Sequence, residues 1–357
     1  MTQPERIDYW NESKRRQIKF CIDEKDRQIN QLFDIQEIPE YEGLYGSFDI
    51  LTSEAPDDIP ESDKLSLYLK KYGNYDLINT HQILSQLMKV NESTNGHRDE
   101  KQTNDIQKSQ RKIAFIDVGA NLGWFSMIAA KKGFYSIAFD PMIDNIYAMR
   151  NTLCINQDNS SLEYNEEQRK YKPREQNIDK IETRIVDVTK VDKWWDRVQI
   201  FDYALGQEQQ QCNMYILPYK ALDGILICDQ KGQYLQDGIL YGNGDVITLD
   251  DLTNEMPTDF YVGVMKINVN GMEIDVIRGA LEFIEKHKVP YIIIKMDKKL
   301  MWHQGYKSKQ VFELLNKELN YIFHLNNFNG EILDDDQVLE KQLKEQKSLS
   351  VYLTLNN

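Results

Sequence analysis

Residues 113–125 read IAFIDVGANLGWF, an apolar run that breaks into a glycine-bracketed turn and resumes as an amphipathic stretch. This segment restricts the fold more tightly than any other in the chain. Ile113 to Val118 is interrupted only by Asp117, the pattern of a strand covered on both faces. Gly119 and Gly123 remove side chains where the main chain must turn sharply and approach a ligand. A helix is predicted from Trp124, with Phe125, Ile128 and Ala129 on one stripe and an end near Gly133. A second strand, Ser136 to Phe139, ends on Asp140-Pro141. Asp140 lies 17 residues past Gly123, close to where a doubly wound sheet aims a carboxylate at a ribose.

Two ligand classes use this layout. A dinucleotide site wants G-x-G-x-x-G, so that a pyrophosphate meets bare backbone and a helix N-terminus. Here Asn121 and Trp124 stand where the second and third glycines would be, so that cradle is missing. G-x-N-x-G preceded by an acid suits S-adenosylmethionine instead. The amino-acid end of that molecule needs hydrogen-bond partners, and its sulfonium is a cation that Asp117 favours where a diphosphate would be repelled.

The rest of the chain extends the strand–helix alternation. Residues 1–110 form an N-terminal helical extension and polar linker, with helices expected near 12–33 and 76–90 and turn-rich patches between them. The run 91–111 is almost wholly polar and reads as a linker or loop. From 111 to 357 a helix is expected over Met142 to Asn156, a third strand over Val198 to Leu205 with Cys212 to Leu217 beside it, and a fourth over Val262 to Val269. A helix Glu273 to Lys286, a strand Tyr291 to Ile294, a helix Ser308 to Leu319 and closing strands near 321–325 and 349–355 follow. The polar insertion 157–182 and the Gly- and Asp-rich region 218–245 interrupt the series, the latter placed to loop over the ligand face. The expected fold is α/β: a doubly wound, mostly parallel sheet with an antiparallel C-terminal edge, plus the N-terminal extension.

Charge and cysteine usage narrow the setting. The 357 residues carry a formal net charge of −14, a field that disfavours nucleic acid and anionic membrane surfaces. No apolar window is long enough to span a bilayer, and the polar N-terminus does not suit a signal peptide, so no membrane insertion is expected. Cys21, Cys154, Cys212 and Cys228 are far apart and form no C-x-x-C pair, which predicts reduced structural thiols, no zinc and a cytoplasmic location.

Three separated stretches resemble the FkbM-type methyltransferases, which use S-adenosylmethionine. The first is FIDVGANLGWFSMIAAKKG with AFDP and the downstream Asn145 and Asn156. The second is ALG at 204–206 followed by TLDDL at 248–252. The third is MKINVNGMEIDVIRGA at 265–280, followed by VPYIIIKM. The resemblance implies a Rossmann-like class I methyltransferase domain that methylates a hydroxyl of a sugar or small metabolite. Asp117, Gly119, Asn121 and Gly123 would hold the cofactor's methionine end, and Asp140 its ribose. Asp202 would meet the adenine edge or stand as a solvated strand-end acid.

The third stretch departs from the family. Asn268 and Asn270 replace acids, and Lys295 replaces the acid at the end of the next strand, while Lys266, Gly271 and Glu273 remain. An asparagine can orient a hydroxyl but cannot take its proton. Glu273 is therefore the leading base, with helix-start stabilisation as its plain alternative, and His303 is a weaker candidate on a loop. Lys266, Asn268 and Asn270 complete the candidate catalytic set, and a lysine in a buried strand needs a partner. Trp124, Trp194 and Trp195 offer either an aromatic cage for a cationic methyl donor or plain packing. Two functions follow: an S-adenosylmethionine-dependent O-methyltransferase, or a catalytically impaired cofactor-binding module acting as a regulatory or scaffold subunit. A nicotinamide-dependent enzyme is opposed by Asn121 and Trp124.

Overall fold

The apolar run at 113–118 lies inside an eight-stranded sheet, paired in parallel with a neighbour on each side. The computed structural model describes residues 8–22, 33–41, 45, 47–53, 64–96, 111–156, 162–165, 170–173, 193–217, 222–228 and 238–356, without the side chains of 162–165 and 170–173. The N-terminal part contains α1 (Tyr9–Ile22), β1 (Phe33–Ile38), β2 (Phe48–Ser53), α2 (Lys64–Tyr72) and α3 (Leu77–Asn95). The α/β part opens with β3 (Lys112–Val118), α4 (Trp124–Lys131), β4 (Tyr135–Phe139) and α5 (Ile143–Ile155). A short hairpin, β5 (Leu162–Asn165) and β6 (Lys170–Pro173), precedes β7 (Val198–Phe201) and β8 (Ala204–Leu205). Then come β9 (Gln210–Ile216), β10 (Ile225–Ile227), β11 (Ile239–Ile247) and β12 (Phe260–Ile267). The C-terminal part holds α6 (Glu273–Arg278), α7 (Leu281–His287), β13 (Tyr291–Asp297), α8 (Lys298–His303) and α9 (Ser308–Phe312). It closes with β14 (Tyr321–Leu325), β15 (Ile332–Leu333), α10 (Asp336–Gln346) and β16 (Ser348–Leu355).

The sheet is mixed, in the order β15-β14-β16-β13-β12-β3-β4-β7. β13, β12, β3, β4 and β7 run parallel, and β16 inserts antiparallel between β13 and β14. β3 and β12 lie at its centre with Phe115, Ile116, Val264 and Met265 out of water, and each such side chain contributes roughly 1.5–3 kcal/mol of burial.

The N-terminal part shares both hydrophobic layers of this sheet. Tyr9 and Trp10 join the cluster around Ile116 and Phe201, while Phe33, Ile50, Leu51, Ile83 and Leu87 join the one around Phe115 and Trp124. Ser13 donates to the Ile200 carbonyl at 2.7 Å, and Gln199 donates to the Trp10 carbonyl at 2.8 Å, stitching α1 to β7. Of the helix expected over 12–33, residues up to Ile22 are helical, 23–32 lie outside the described residues, and Phe33 opens a strand. That strand pairs with β2, which the turn residues on either side of it concealed. Asp76 caps α3 by accepting from the Asn79 N–H, and Asn91–Asn95 continue that helix. The linker expected after it falls at 97–110, outside the described residues, as do 157–161, 166–169 and 174–182 of the polar insertion.

Two elements divide where one was expected. The strand predicted over Val198–Leu205 leaves the main sheet after Phe201, and β8 joins a second sheet ordered β10-β9-β11-β8. Cys212–Leu217 accordingly pairs with β10 and β11 there, not beside the third strand. The helix predicted over Glu273–Lys286 breaks at Gly279, where a Cβ would stand 1.8 Å from the Gly206 carbonyl oxygen. Close approach of two backbones sets that break.

The thiols are corrected as well. Cys21 of α1 is bonded to Cys154 of α5, and Cys212 of β9 to Cys228 just past β10. The partners are 133 and 16 residues apart, so sequence spacing hid contacts that packing creates. With the thiols paired, the cytoplasmic expectation loses its basis. Among the described residues no helix is long and apolar enough to cross a membrane.

Candidate active site

One cavity of about 380 Å³ opens where β3, β4, β12 and β13 end, within the size range of small-molecule sites. Gly119, Asn121, Asp140, Lys266, Asn268, Asn270, Glu273 and Lys295 all line it. Parallel strands deliver them together, because their C-terminal ends lie side by side.

The turn after β3 depends on two left-handed residues, Gly119 at φ 74° and Asn121 at φ 53°. A Cβ on Gly119 would lie 2.0 Å from the Asn268 carbonyl oxygen, so the position excludes any side chain. Asn121 is a residue type that tolerates this conformation. Its N–H donates to Asp140 Oδ2 at 2.8 Å, and its side-chain amide donates to the Leu222 carbonyl at 2.9 Å. Gly123 starts α4 behind the wall and does not line the cavity.

Asp140 is buried and accepts at Oδ1 from the Met142 N–H and the Asn145 amide, both at 3.0 Å. Burial pushes its carboxyl up to about 6, against the pull of those donors and of Lys266. Asn145 also donates to the Leu222 carbonyl, and its own Oδ1 is buried with no partner among the described residues. Asn270 donates to the Gly224 carbonyl at 2.9 Å. Three asparagines thus clamp the 222–224 segment along one side of the cavity, and the disulfide Cys212–Cys228 closes that loop at its base.

Glu273 is fully buried, and its Oε1 accepts from the Gly271 N–H at 3.2 Å. Its Oε2 has no partner among the described residues. Burial pushes this carboxyl up to about 7, opposed by nearby backbone N–H groups and reinforced by Asp297. A carboxylate half-ionised near neutrality, on a residue that lines the cavity, is equipped to accept a proton.

Several expected roles move. Asp117 does not line the cavity: it is 0% exposed, with Oδ1 on Lys266 at 2.7 Å and Oδ2 on Ser126 at 2.9 Å. It holds Lys266, which also donates to the Gly119 carbonyl and lies over the Phe125 ring. Asp202 points away, gripped by Arg16 at 2.7 Å with Arg150 at 3.6 Å, and fastens α1 instead of facing an adenine. Asn270 spends its amide on Gly224, which makes it a positioning residue. His303 lies outside the cavity lining, so it does not serve as a base there. Trp124 lines the cavity and donates to Thr80. Trp194, edge-on against Phe48 and Trp195, and Trp195 itself lie outside the lining, so the three do not converge on it.

The sequence reading missed Lys64, Leu65 and Tyr75, which the N-terminal part contributes to the wall, and Asp223. The polar, turn-rich flanks of α2 gave no signal for the first three. Asp223 sits in the region expected over the ligand face, without a motif of its own.

A family model for the methyltransferase FkbM domain matches residues 117–323, more than half of the chain. The chain belongs to the FkbM methyltransferase family. No curated protein matches it. Among solved structures, the FkbM chain is similar to the plantazolicin methyltransferase BpumL in complex with SAH, at 9% identity and TM-score 0.33 over 78% of this chain and 85% of that one. It is also similar to the human methyltransferase 10 domain containing protein, at 10% identity and TM-score 0.32 over 82% and 93%. A third likeness is to the METTL16 MTase domain, at 12% identity and TM-score 0.32 over 82% and 78%.

The orphaned oxygens test this FkbM cavity for a cofactor. Among the described residues Asn145 Oδ1 and Glu273 Oε2 are buried acceptors without a donor, and Asp140 Oδ2 accepts from the Asn121 N–H. Such acceptors suit a ligand that brings O–H and N–H groups, such as a ribose diol or an ammonium.

Proposed function

We propose that this protein is an S-adenosylmethionine-dependent methyltransferase that methylates a hydroxyl of a small molecule or sugar, with Glu273 as the general base. Family membership supports methyl transfer, and the buried acceptor oxygens suit the hydroxyl and ammonium donors of this cofactor. The single observation that carries the reading is Glu273, a buried carboxylate on a cavity-lining residue whose Oε2 has no donor among the described residues.

Asp140 Oδ2 is suited to accept from the ribose hydroxyls, and Asn145 Oδ1 takes a further donor from the same ligand. S-adenosylmethionine supplies, when bound, an electrophilic methyl group on a sulfonium. Glu273 Oε2 accepts the proton of the acceptor hydroxyl as that oxygen turns nucleophilic. Asn268, on the same wall, orients the hydroxyl without deprotonating it. In-line displacement draws most of its acceleration from such positioning.

Calorimetry with S-adenosylmethionine and with S-adenosylhomocysteine tests the cofactor, and transfer of a labelled methyl group to a cell extract tests the reaction. Saturable binding and a labelled small-molecule product are expected. Binding without any labelled product would leave a cofactor-binding module, and no binding at all removes the proposal.

A further inference from the structure

The acceptor end of the cavity carries two lysines, Lys64 and Lys295, that form no ion pair among the described residues. The β12–β13 register pairs Lys266 with Ile293, and the alternation of side chains puts Lys295 on that same sheet face. Val264 and Ile293, on this face, belong to the layer that also holds Leu65, Leu69, Leu84 and Leu87 of α2 and α3. Lys64, the first residue of α2, lines the cavity together with Lys295.

The charges are unevenly met. Lys266 is neutralised by Asp117 at 2.7 Å. Lys64 and Lys295 have no carboxylate within ion-pairing distance among the described residues, in a chain of net charge −14. Two acids share this end. Asp297 spends Oδ1 on the N–H groups of Lys299 and Leu300, and Glu273 is the buried base. Asp140 and Asp223 lie toward the opposite side, beyond β3 in the strand order. Lys64 and Lys295, both solvent-exposed, thus stand at this end as mobile cations beside Asp297 and Glu273.

We propose that the acceptor bears an oxyanion, a phosphate monoester or a carboxylate, held by Lys295 and Lys64 while its hydroxyl meets Glu273. This rests on the methyltransferase reading above and adds the substrate class. Lysine suits the task as a mobile point charge that reaches phosphate or carboxylate without a fixed fork. It also gives the N-terminal part a role in specificity, because α2 supplies half of the clamp.

The test titrates inorganic phosphate, and separately malonate, into the full-length protein saturated with S-adenosylhomocysteine. Saturable binding of at least one anion is expected, weakened tenfold or more in Lys295→Met and in Lys64→Met. Phosphate without malonate would point to a phosphate monoester, the reverse to a carboxylate. A labelled-methyl assay over matched pairs of hydroxylated compounds, each neutral and as its phosphate or carboxylate, should favour the charged member at least tenfold. Either lysine variant should collapse that ratio. Protein that binds S-adenosylhomocysteine but neither anion, or that prefers neutral acceptors, overturns the inference and leaves the methyltransferase intact. Protein that fails to bind S-adenosylhomocysteine fails at the earlier step.

Discussion

Lys266 Nζ stands 2.7 Å from Asp117 Oδ1 across the β12–β3 pairing, with both side chains withdrawn from water. The strand register places the two residues directly opposite each other. The Gly119 carbonyl takes a second bond from Lys266, so the pair fixes the turn after β3 that lines the cavity.

Removing either partner leaves the other charge buried and uncompensated, which costs roughly 3–5 kcal/mol. Asp117→Asn and Lys266→Met should each lower the urea midpoint accordingly. The double variant should be more stable than the sum of the two losses implies, since no lone charge remains. Simple additivity in that cycle would show that the ion pair does not couple them.

Glu273 links rate and stability to pH in opposite directions. Methyl transfer needs its ionised form, so turnover should rise with pH and reach half its limit near pH 7. Glu273→Gln should flatten that profile and lower turnover roughly 10²-fold or more. Burial raises the folded value from 4.5 to about 7, so ionisation disfavours the folded state. The wild type should therefore lose stability as pH rises from about 4.5 through 7, by roughly 3 kcal/mol from this group. Glu273→Gln should be the more stable protein at pH 8, with the difference vanishing near pH 4. Denaturation curves at the two pH values check the sign, and an unchanged pH–rate profile would remove Glu273 as the base.

Much of this was legible in the residue order, and what was not has a physical cause. Strand periodicity gave β3, β4, β12 and β13, because central parallel strands are apolar throughout. The G-x-N-x-G turn and Asp140 were visible because local chain geometry demands those residue types. Asp117 and Asp202 were misplaced for another reason. A carboxylate's direction depends on its tertiary partners, Lys266 in one case and Arg16 in the other, 149 and 186 residues away. The β1–β2 pair, the two disulfides and the wall formed by Lys64 and Tyr75 likewise arise from long-range packing. Sequence spacing carries no trace of such contacts.

Asp140 organises its side of the cavity by accepting from Asn121, Met142 and Asn145 at once. Asp140→Asn would turn one acceptor into a donor facing N–H groups, and would remove a charge-assisted bond worth about 1.5–3 kcal/mol. Affinity for S-adenosylhomocysteine should fall roughly 10- to 100-fold by calorimetry, with circular dichroism unchanged. Wild-type affinity in the variant would mean that Asp140 serves the turn alone.

The two disulfides should separate in their consequences. Cys21–Cys154 fastens α1 to α5, whereas Cys212–Cys228 closes the loop whose Leu222, Asp223 and Gly224 line the cavity. Cross-linking a loop of this size restricts the unfolded chain by about 3 kcal/mol. The Cys212→Ser, Cys228→Ser variant should lose about that much stability and also bind S-adenosylhomocysteine more weakly. The clamp from Asn121, Asn145 and Asn270 would then have to order a longer free segment. The Cys21→Ser, Cys154→Ser variant should lose stability with cofactor affinity unchanged, because neither residue lines the cavity. Thiol titration of the denatured, unreduced wild type should find no free sulfhydryl. Equal cofactor affinity in both double variants would show that the asparagine contacts hold the 222–224 wall without the covalent link.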